Sequence, residues 1–275
     1  MNKANDSLNT QEELSYVTGG EVNVRHDTWW WLVGAVVGLV ILLVVVQPDP
    51  FRDLVVFARD GVAVTILVTI SAYLLMLVVG LFGGLGRLAK NKFIFGLATI
   101  YVEVIRGIPL LVQLIGWYFA SPVVIQAVGE WLNFAPLMEY RANPIVTAII
   151  AITVCYGAYM SEIVRAGIQS VPKGQMEAAR SLGMNHFQAM RFVILPQAFR
   201  VILPPMGNEF IALLKDSSLV SVVAVADLTR RGREFMSAHF NPIETWTMVA
   251  LLYLIMTLFA SRLVSYIEKK TKYER

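Results

Sequence analysis

The stretch EAARSLGMNHFQAMRFVILP, residues 177–196, is a polar segment set between long apolar segments of a 275-residue chain. Just before it, Pro172 can open a helix, because the first helical position needs no amide hydrogen. Gly183 can end that helix, since glycine adopts the left-handed conformation without steric cost. Asn185, with Gln188 three residues later, has the pattern of a capping box that starts a second helix. The stretch therefore predicts a short helical hairpin with a sharp turn.

The composition on either side of this hairpin predicts a membrane protein. Apolar residues make up 56% of the chain and charged residues only 16%, whereas soluble domains carry about 25% charged residues. A bilayer-spanning helix needs roughly 20 predominantly apolar residues, and the segments that approach or exceed this length are 29–48, 61–86, 107–129, 142–161, 192–215 and 245–261. We therefore predict an all-α polytopic membrane protein with six transmembrane helices.

The N-terminal region predicts a tail followed by a retained helix. Residues 1–28 are polar and are expected to be flexible. The apolar segment 29–46 is too long for a signal-peptide core and lacks a small-residue cleavage pattern after it, so we expect a membrane helix that stays in the mature protein. Trp29, Trp30 and Trp31 are expected at the headgroup level, where tryptophan is enriched.

The sequence contains no pattern typical of catalysis or of cofactor binding. Its single cysteine, Cys155, lies within an apolar segment, and its three histidines are scattered without metal-ligand spacing. The phosphate-binding pattern GxxxxGK[ST] is absent, as are the nucleophile-elbow and dinucleotide-binding patterns. We expect no catalytic residue, no metal and no cofactor in this chain.

The hairpin resembles the cytoplasmic coupling loop of bacterial ABC importer permeases. It carries Glu-Ala-Ala, three residues, Gly, nine residues, a β-branched residue, one residue and Leu-Pro, with Val193 where the family usually has Ile. The resemblance implies that 172–191 docks on a separate ATPase, which binds ATP and Mg. It assigns the contact with that ATPase to Glu177, Ala178, Ala179 and Gly183.

Three further stretches resemble the importer branch that carries polar and charged amino acids. They are EVIRGIPLLVQ at 103–113, AYMSEIVRAGI at 158–168 and GNEFIALLKDSSL at 207–219. The resemblance covers about residues 60–270 and implies a five-helix type I importer core, to which the helix at 29–46 is an addition. It also implies three partners: an ABC ATPase dimer, a second permease that is the same chain or a paralogue, and an extracytoplasmic amino-acid-binding protein.

This resemblance agrees with the distribution of basic residues. With both termini in the cytoplasm, six spans place the hairpin inside together with more Lys and Arg residues than remain outside, as the positive-inside rule requires. We therefore predict a multi-pass protein of the bacterial cytoplasmic (inner) membrane.

Polar residues inside the predicted spans are candidates for substrate contact. An ionisable residue at the centre of a spanning helix costs roughly 2.5–3.5 kcal/mol, so such residues should be paired or face water. Candidates for substrate binding are Asn208, Glu209, Gln113, Tyr159 and Glu103. The spacings Glu103–Arg106 and Glu162–Arg165 also fit ion pairs within one helix, and the amides and hydroxyls fit interhelical hydrogen bonds, so structural roles stay open.

Pro204 and Pro205 predict an interruption in the fifth span. Each removes a helical donor and crowds the carbonyl four residues earlier, so the helix is expected to break or bend. Two interpretations remain open: freed carbonyls that receive a substrate ammonium, or a simple bend after the hairpin.

Two other functions are compatible with parts of this pattern. A secondary transporter driven by an ion gradient also has intramembrane carboxylates and broken helices, but it predicts an internal repeat, which this sequence lacks. A membrane receptor or assembly factor could keep the hairpin only for docking. The favoured function is the permease subunit of an ABC importer for a polar or charged L-amino acid.

Overall fold

The structure is a computed structural model that describes residues 29–271, and all regular elements in that range are helical. In chain order the helices are α1 (Trp29–Val46), α2 (Pro48–Gly86), α3 (Lys92–Gly107), α4 (Leu110–Leu132), α5 (Ala135–Met138), α6 (Pro144–Gln169), α7 (Lys173–Ser181), α8 (His186–Ala189), α9 (Leu195–Asp216), α10 (Leu228–His239) and α11 (Pro242–Thr271). A π-helical turn at Met190–Ile194 precedes α9, and a 3₁₀ segment at Ser217–Val223 follows it. The predicted tail, residues 1–28, lies outside the described residues.

The prediction of an all-α membrane fold is confirmed, although the count of six spans is approximate. Five described helices are long and apolar enough to cross a membrane, namely α1, α2, α4, α6 and α11. The fifth predicted span, 192–215, corresponds to α9, whose 22 residues extend about 33 Å at 1.5 Å per residue. Because α9 contains Arg200, Glu209 and Lys215, it has the length of a span without the apolar character.

The predicted break of this helix is wrong, because α9 stays helical through Pro204 and Pro205, whereas the alternative of a bend there stays a prediction. Proline fixes φ at a value that a helix accepts, so the loss of two amide donors does not by itself force the backbone out of the helix. The irregular turn lies earlier, at Met190–Ile194, where the chain leaves the hairpin.

Helix α6 forms the centre of the bundle and packs along α2. Buried residues of both helices and of α9 make one apolar core that includes Met76, Ile152, Met160 and Ile202. Glycines on α2 allow the close approach, because a Cβ added at Gly84 would lie 2.7 Å from Val164 Cβ and 2.8 Å from the Ser161 carbonyl oxygen. The α2–α6 contact therefore positions Tyr156, Tyr159 and Glu162, the polar residues of α6 that are described below.

We expect Gly84→Ala to lower the thermal midpoint of the purified protein. The added methyl group meets a backbone oxygen that cannot rotate away, and overpacking of this kind costs about 1–3 kcal/mol. Gly96→Ala on α3 is the matched control, since a Cβ there meets no described atom within 4 Å and alanine favours a helix by about 1 kcal/mol over glycine. Thermal unfolding of both variants in one detergent measures the difference, and an equal midpoint for the two would contradict the close-packing argument.

Helix α1 lies at the edge of the bundle. Its residues Val40, Leu43 and Val44 pack against a second apolar cluster built from α2, α10 and α11. The guanidinium of Arg262 on α11 lies 5.2 Å from the ring centroid of Trp29 and 5.6 Å from that of Trp30. Most of α1 is exposed. Its role as an addition to a core at 60–270 stays a prediction.

Candidate functional site

The turn of the hairpin is closed by backbone hydrogen bonds at the end of α7. Gly183 has φ = +84°, and its amide donates to the Arg180 carbonyl at 3.0 Å. The next amide, that of Met184, donates to the Ala179 carbonyl at 3.2 Å. These two bonds form a Schellman motif, in which a side chain at Gly183 would be strained.

The second helix of the hairpin starts with the predicted capping box. The Asn185 side chain accepts a hydrogen bond from the Gln188 amide, and the Gln188 side chain accepts one from the Asn185 amide, both at 2.9 Å. The hairpin geometry predicted from the sequence is thereby confirmed. Reciprocal capping satisfies two amide donors that would otherwise lack partners, so the hairpin is locally rigid.

The exposed surface of the hairpin differs from the predicted contact set. Glu177 and Ala178 are exposed, whereas Ala179 is buried and faces the chain itself. Two apolar side chains that the sequence analysis did not single out are highly exposed, Leu182 at 81% and Phe187 at 69%. The signal for them was present in the sequence, because Leu182 directly precedes Gly183 and Phe187 follows it four residues later, both large apolar residues in a hairpin predicted to lie outside the bilayer.

A polar cavity of about 220 Å³ lies where α4, α6 and α9 meet, and its lining residues are Leu110, Cys155, Tyr156, Tyr159, Glu209 and Asp216. The Tyr156 hydroxyl donates to Asp216 Oδ2 at 2.7 Å. Glu209 and Asp216 line the same small cavity, so two carboxylate side chains share one space. Pockets for drug-sized ligands are typically about 300–1,000 Å³, so this cavity suits a smaller, polar solute.

Two of the predicted substrate residues, Tyr159 and Glu209, line this cavity. The sequence analysis did not nominate Asp216 for substrate contact, although it stands in one of the quoted stretches. It lies seven residues after Glu209, which places the two on one face of α9. That spacing was the available signal for it.

Gln113 lies beside the cavity and holds the connection between α3 and α4. Its Nε2 donates to the carbonyl oxygens of Ile105 and Ile108 at 2.8 Å each and contacts Cys155 Sγ at 3.5 Å. Its side-chain nitrogen is therefore committed to the protein.

The other two candidates, Asn208 and Glu103, are exposed and do not line the cavity. A substrate role for any of the five nominated residues stays a prediction.

The ion pairs of α3 and α6 extend beyond single helices. Glu162 contacts Arg165 at 2.7 Å, as the spacing predicted, and it also contacts Arg87 at 3.1 Å and Arg106 at 3.8 Å. Glu103 pairs with Arg87 at 3.3 Å, so an internal Glu103–Arg106 pair is not what the structure shows. The α2 terminus, α3 and α6 are thereby joined at the hairpin end of α6.

A helical membrane bundle with a short helical hairpin between two of its long helices, and a small polar cavity among them, agrees with the architecture expected of a transport permease. Residues 76–273 match the family described as binding-protein-dependent transport system inner membrane component. The match spans more than half of the chain, so the chain belongs to this family.

Relatives with curated names place the chain among amino-acid import systems. It is 36% identical over 213 residues to the glutamine transport system permease protein GlnP of Escherichia coli (strain K12), covering 78% of this chain and 92% of that protein. It is 33% identical over 214 residues to the glutamate/aspartate import permease protein GltJ of the same strain, covering 78% and 86%. It is 37% identical over 211 residues to the nopaline transport system permease protein NocM of Agrobacterium fabrum (strain C58 / ATCC 33970), covering 76% and 85%.

Solved structures show the same fold. A crystal structure of an amino acid ABC transporter with histidines matches with a TM-score of 0.69 and 38% identity, over 83% of this chain and 98% of that chain. The MetNI methionine ABC transporter matches in fold with a TM-score of 0.65 at 20% identity, over 82% and 99%. The prediction of an amino-acid ABC importer permease is confirmed, and these neighbours are ABC transporters rather than secondary transporters.

Proposed function

We propose that this chain, as one of two permease subunits, carries a cationic L-amino acid through the cavity lined by Glu209 and Asp216. The pairing of two carboxylates in one small cavity supports this proposal. Glu209 and Asp216 are half-buried. A charge that is partly withdrawn from water is stabilised by a partner of opposite sign, and the α-ammonium and the cationic side chain of such an amino acid would supply two. Tyr156 and Tyr159 add hydroxyls that can donate or accept.

The charge balance favours a cationic cargo over an acidic one. The lining contains two carboxylates and no basic residue, while Arg106 lies beyond the lining, against Tyr159. An acidic amino acid would bring two carboxylates toward two others, and like charges in a low-dielectric site repel strongly. A neutral polar amino acid is the second candidate, because it still presents one ammonium.

The hairpin is the proposed docking site for a partner ATPase in the cytoplasm. Leu182 and Phe187 would enter an apolar groove of the ATPase, and Glu177 and Ala178 would lie along its rim. ATP binding can shift the permease between outward-facing and inward-facing states only through contacts that differ between them. A rigid hairpin transmits such a shift without first deforming. We propose with it that both termini lie in the cytoplasm.

A second permease subunit and an extracytoplasmic binding protein complete the proposed assembly. Helix α4 is long and apolar, yet little of it is buried within the chain. Its exposed residues include Val112, Trp117 and Val124, a surface that a second copy or a paralogue would cover. The binding protein would deliver the amino acid at the face opposite the hairpin.

Uptake into proteoliposomes tests this proposal. The vesicles contain this chain with its ATPase and its binding protein, and labelled arginine, lysine, glutamine and glutamate are offered with and without internal ATP. We expect ATP-dependent accumulation with arginine or lysine first, glutamine weaker and glutamate last. A partner ATPase that lacks its phosphate-binding lysine is the control and should abolish accumulation. Accumulation that ignores ATP and follows a sodium or proton gradient would contradict the proposal.

A further inference from the structure

Arg106, on the last turn of α3, lies between the cavity and the ion pairs at the hairpin end of α6. Its guanidinium is 5.2 Å from the ring centroid of Tyr159, which lines the cavity, and 3.8 Å from Glu162. We propose that the Arg106 guanidinium moves away from Glu162 and binds the α-carboxylate of the transported amino acid. This inference rests on the proposed function, because it assumes that the cavity receives an amino acid.

The cavity needs a basic residue that its lining does not supply. Every charged lining residue is acidic, and a carboxylate brought beside Glu209 and Asp216 without a cation would be repelled. Arg106 contacts the ring of Tyr159, and Tyr159 lines the same cavity as Glu209. A guanidinium binds a carboxylate through two parallel hydrogen bonds, so it suits this end of an amino acid.

Of the three arginines around Glu162, Arg106 is the one that can leave. Its contact is the longest, 3.8 Å against 3.1 Å for Arg87 and 2.7 Å for Arg165. Its side chain is 38% exposed, against 11% and 30%. Within the described part of the chain the Arg106 guanidinium donates no hydrogen bond, whereas that of Arg165 donates two to Glu162. After Arg106 leaves, Glu162 still has two cationic partners.

The exchange would report an occupied cavity to the coupling hairpin. Arg165 donates hydrogen bonds to Glu162 and also, from Nη1, to Gln169 Oε1 at 2.7 Å. Gln169 is the last residue of α6, and α7 begins four residues later at Lys173. When Arg106 moves away, the Glu162 carboxylate is paired with Arg87 and Arg165 alone.

The test compares L-arginine with L-argininamide, which keeps both positive charges and loses the carboxylate. Binding of each probe is measured with the assembled permease–ATPase complex at about pH 6, because α-amino groups titrate near pH 7.7–8.0. Hydrogen bonds to charged groups contribute about 1.5–3 kcal/mol. We therefore expect the wild-type complex to bind arginine about ten- to hundredfold more tightly than argininamide. In the Arg106→Gln complex the preference should fall to less than about threefold.

Two further variants make the test specific. Arg106→Lys keeps the positive charge but cannot form the two parallel hydrogen bonds of a guanidinium. It should retain part of the preference for arginine over argininamide. Lys270→Gln is the matched control, because Lys270 also places a cation over a tyrosine ring, 4.8 Å from the Tyr266 centroid, away from the cavity. It should keep the full preference.

The outcomes separate this inference from the proposed function. An undiminished preference for arginine in the Arg106→Gln complex would overturn the role of Arg106. If Arg106→Gln does not assemble, an undiminished preference in Arg106→Lys would do the same. Failure of the wild-type complex to bind or transport any amino acid would instead overturn the proposed function.

Discussion

Phe187→Asp is expected to abolish ATP-driven uptake and to release the ATPase from the complex. Phe187 is 69% exposed in the chain, so the substitution removes little internal packing. In the proposed complex it would place a carboxylate in an apolar groove, and central interface anchors of this kind contribute about 2 kcal/mol or more. Co-purification of the tagged permease with its ATPase measures the loss, and we expect at least about a thirtyfold drop in affinity.

Phe240→Asp is the control for this variant. Phe240 is 88% exposed and directly follows α10. The whole of α9 separates it along the chain from the hairpin, so ATPase binding should persist. Glu177→Arg, which reverses a charge on the hairpin surface, should weaken the ATPase contact in the same direction as Phe187→Asp. Unchanged ATPase binding and uptake in both hairpin variants would show that the hairpin does not couple to the ATPase.

Glu209→Gln and Asp216→Asn are expected to weaken the binding of cationic amino acids, each by about ten- to hundredfold. Each substitution keeps the shape of the side chain and removes one negative charge, and hydrogen bonds to charged groups contribute about 1.5–3 kcal/mol. Glutamine, which offers one positive charge instead of two, should lose less. Binding of labelled arginine and glutamine to the assembled complex measures both effects.

Asn208→Ala distinguishes the sequence-based choice of substrate residues from the structural one. Asn208 is adjacent to Glu209 on α9 but exposed and outside the cavity, so its truncation should change arginine binding by less than Glu209→Gln does. A larger effect of Asn208→Ala would mean that the solute binds outside this cavity.

The features that could be predicted from the sequence are local. The hairpin depends on Gly183 in a left-handed conformation and on the reciprocal caps of Asn185 and Gln188, which involve residues within a few positions of one another. The long apolar helices follow from composition, because a segment without charges over a spanning length has no stable alternative in a bilayer. The same local reasoning predicted a break or a bend at Pro204 and Pro205, and the break is wrong because the backbone stays helical through both.

By itself the sequence determined the membrane class, the approximate number of membrane spans, the hairpin and the family, because each depends on the composition of one segment, on residues close in sequence or on quoted motifs. The tertiary structure decided which polar residues meet. Tyr159 and Glu209 are 50 positions apart and share a cavity with Asp216, while Gln113 is committed to the α3–α4 connection and Glu103 pairs with Arg87 rather than Arg106. These choices depend on how α2, α3, α4, α6 and α9 pack, and a helix period read along one segment carries no information about its partner.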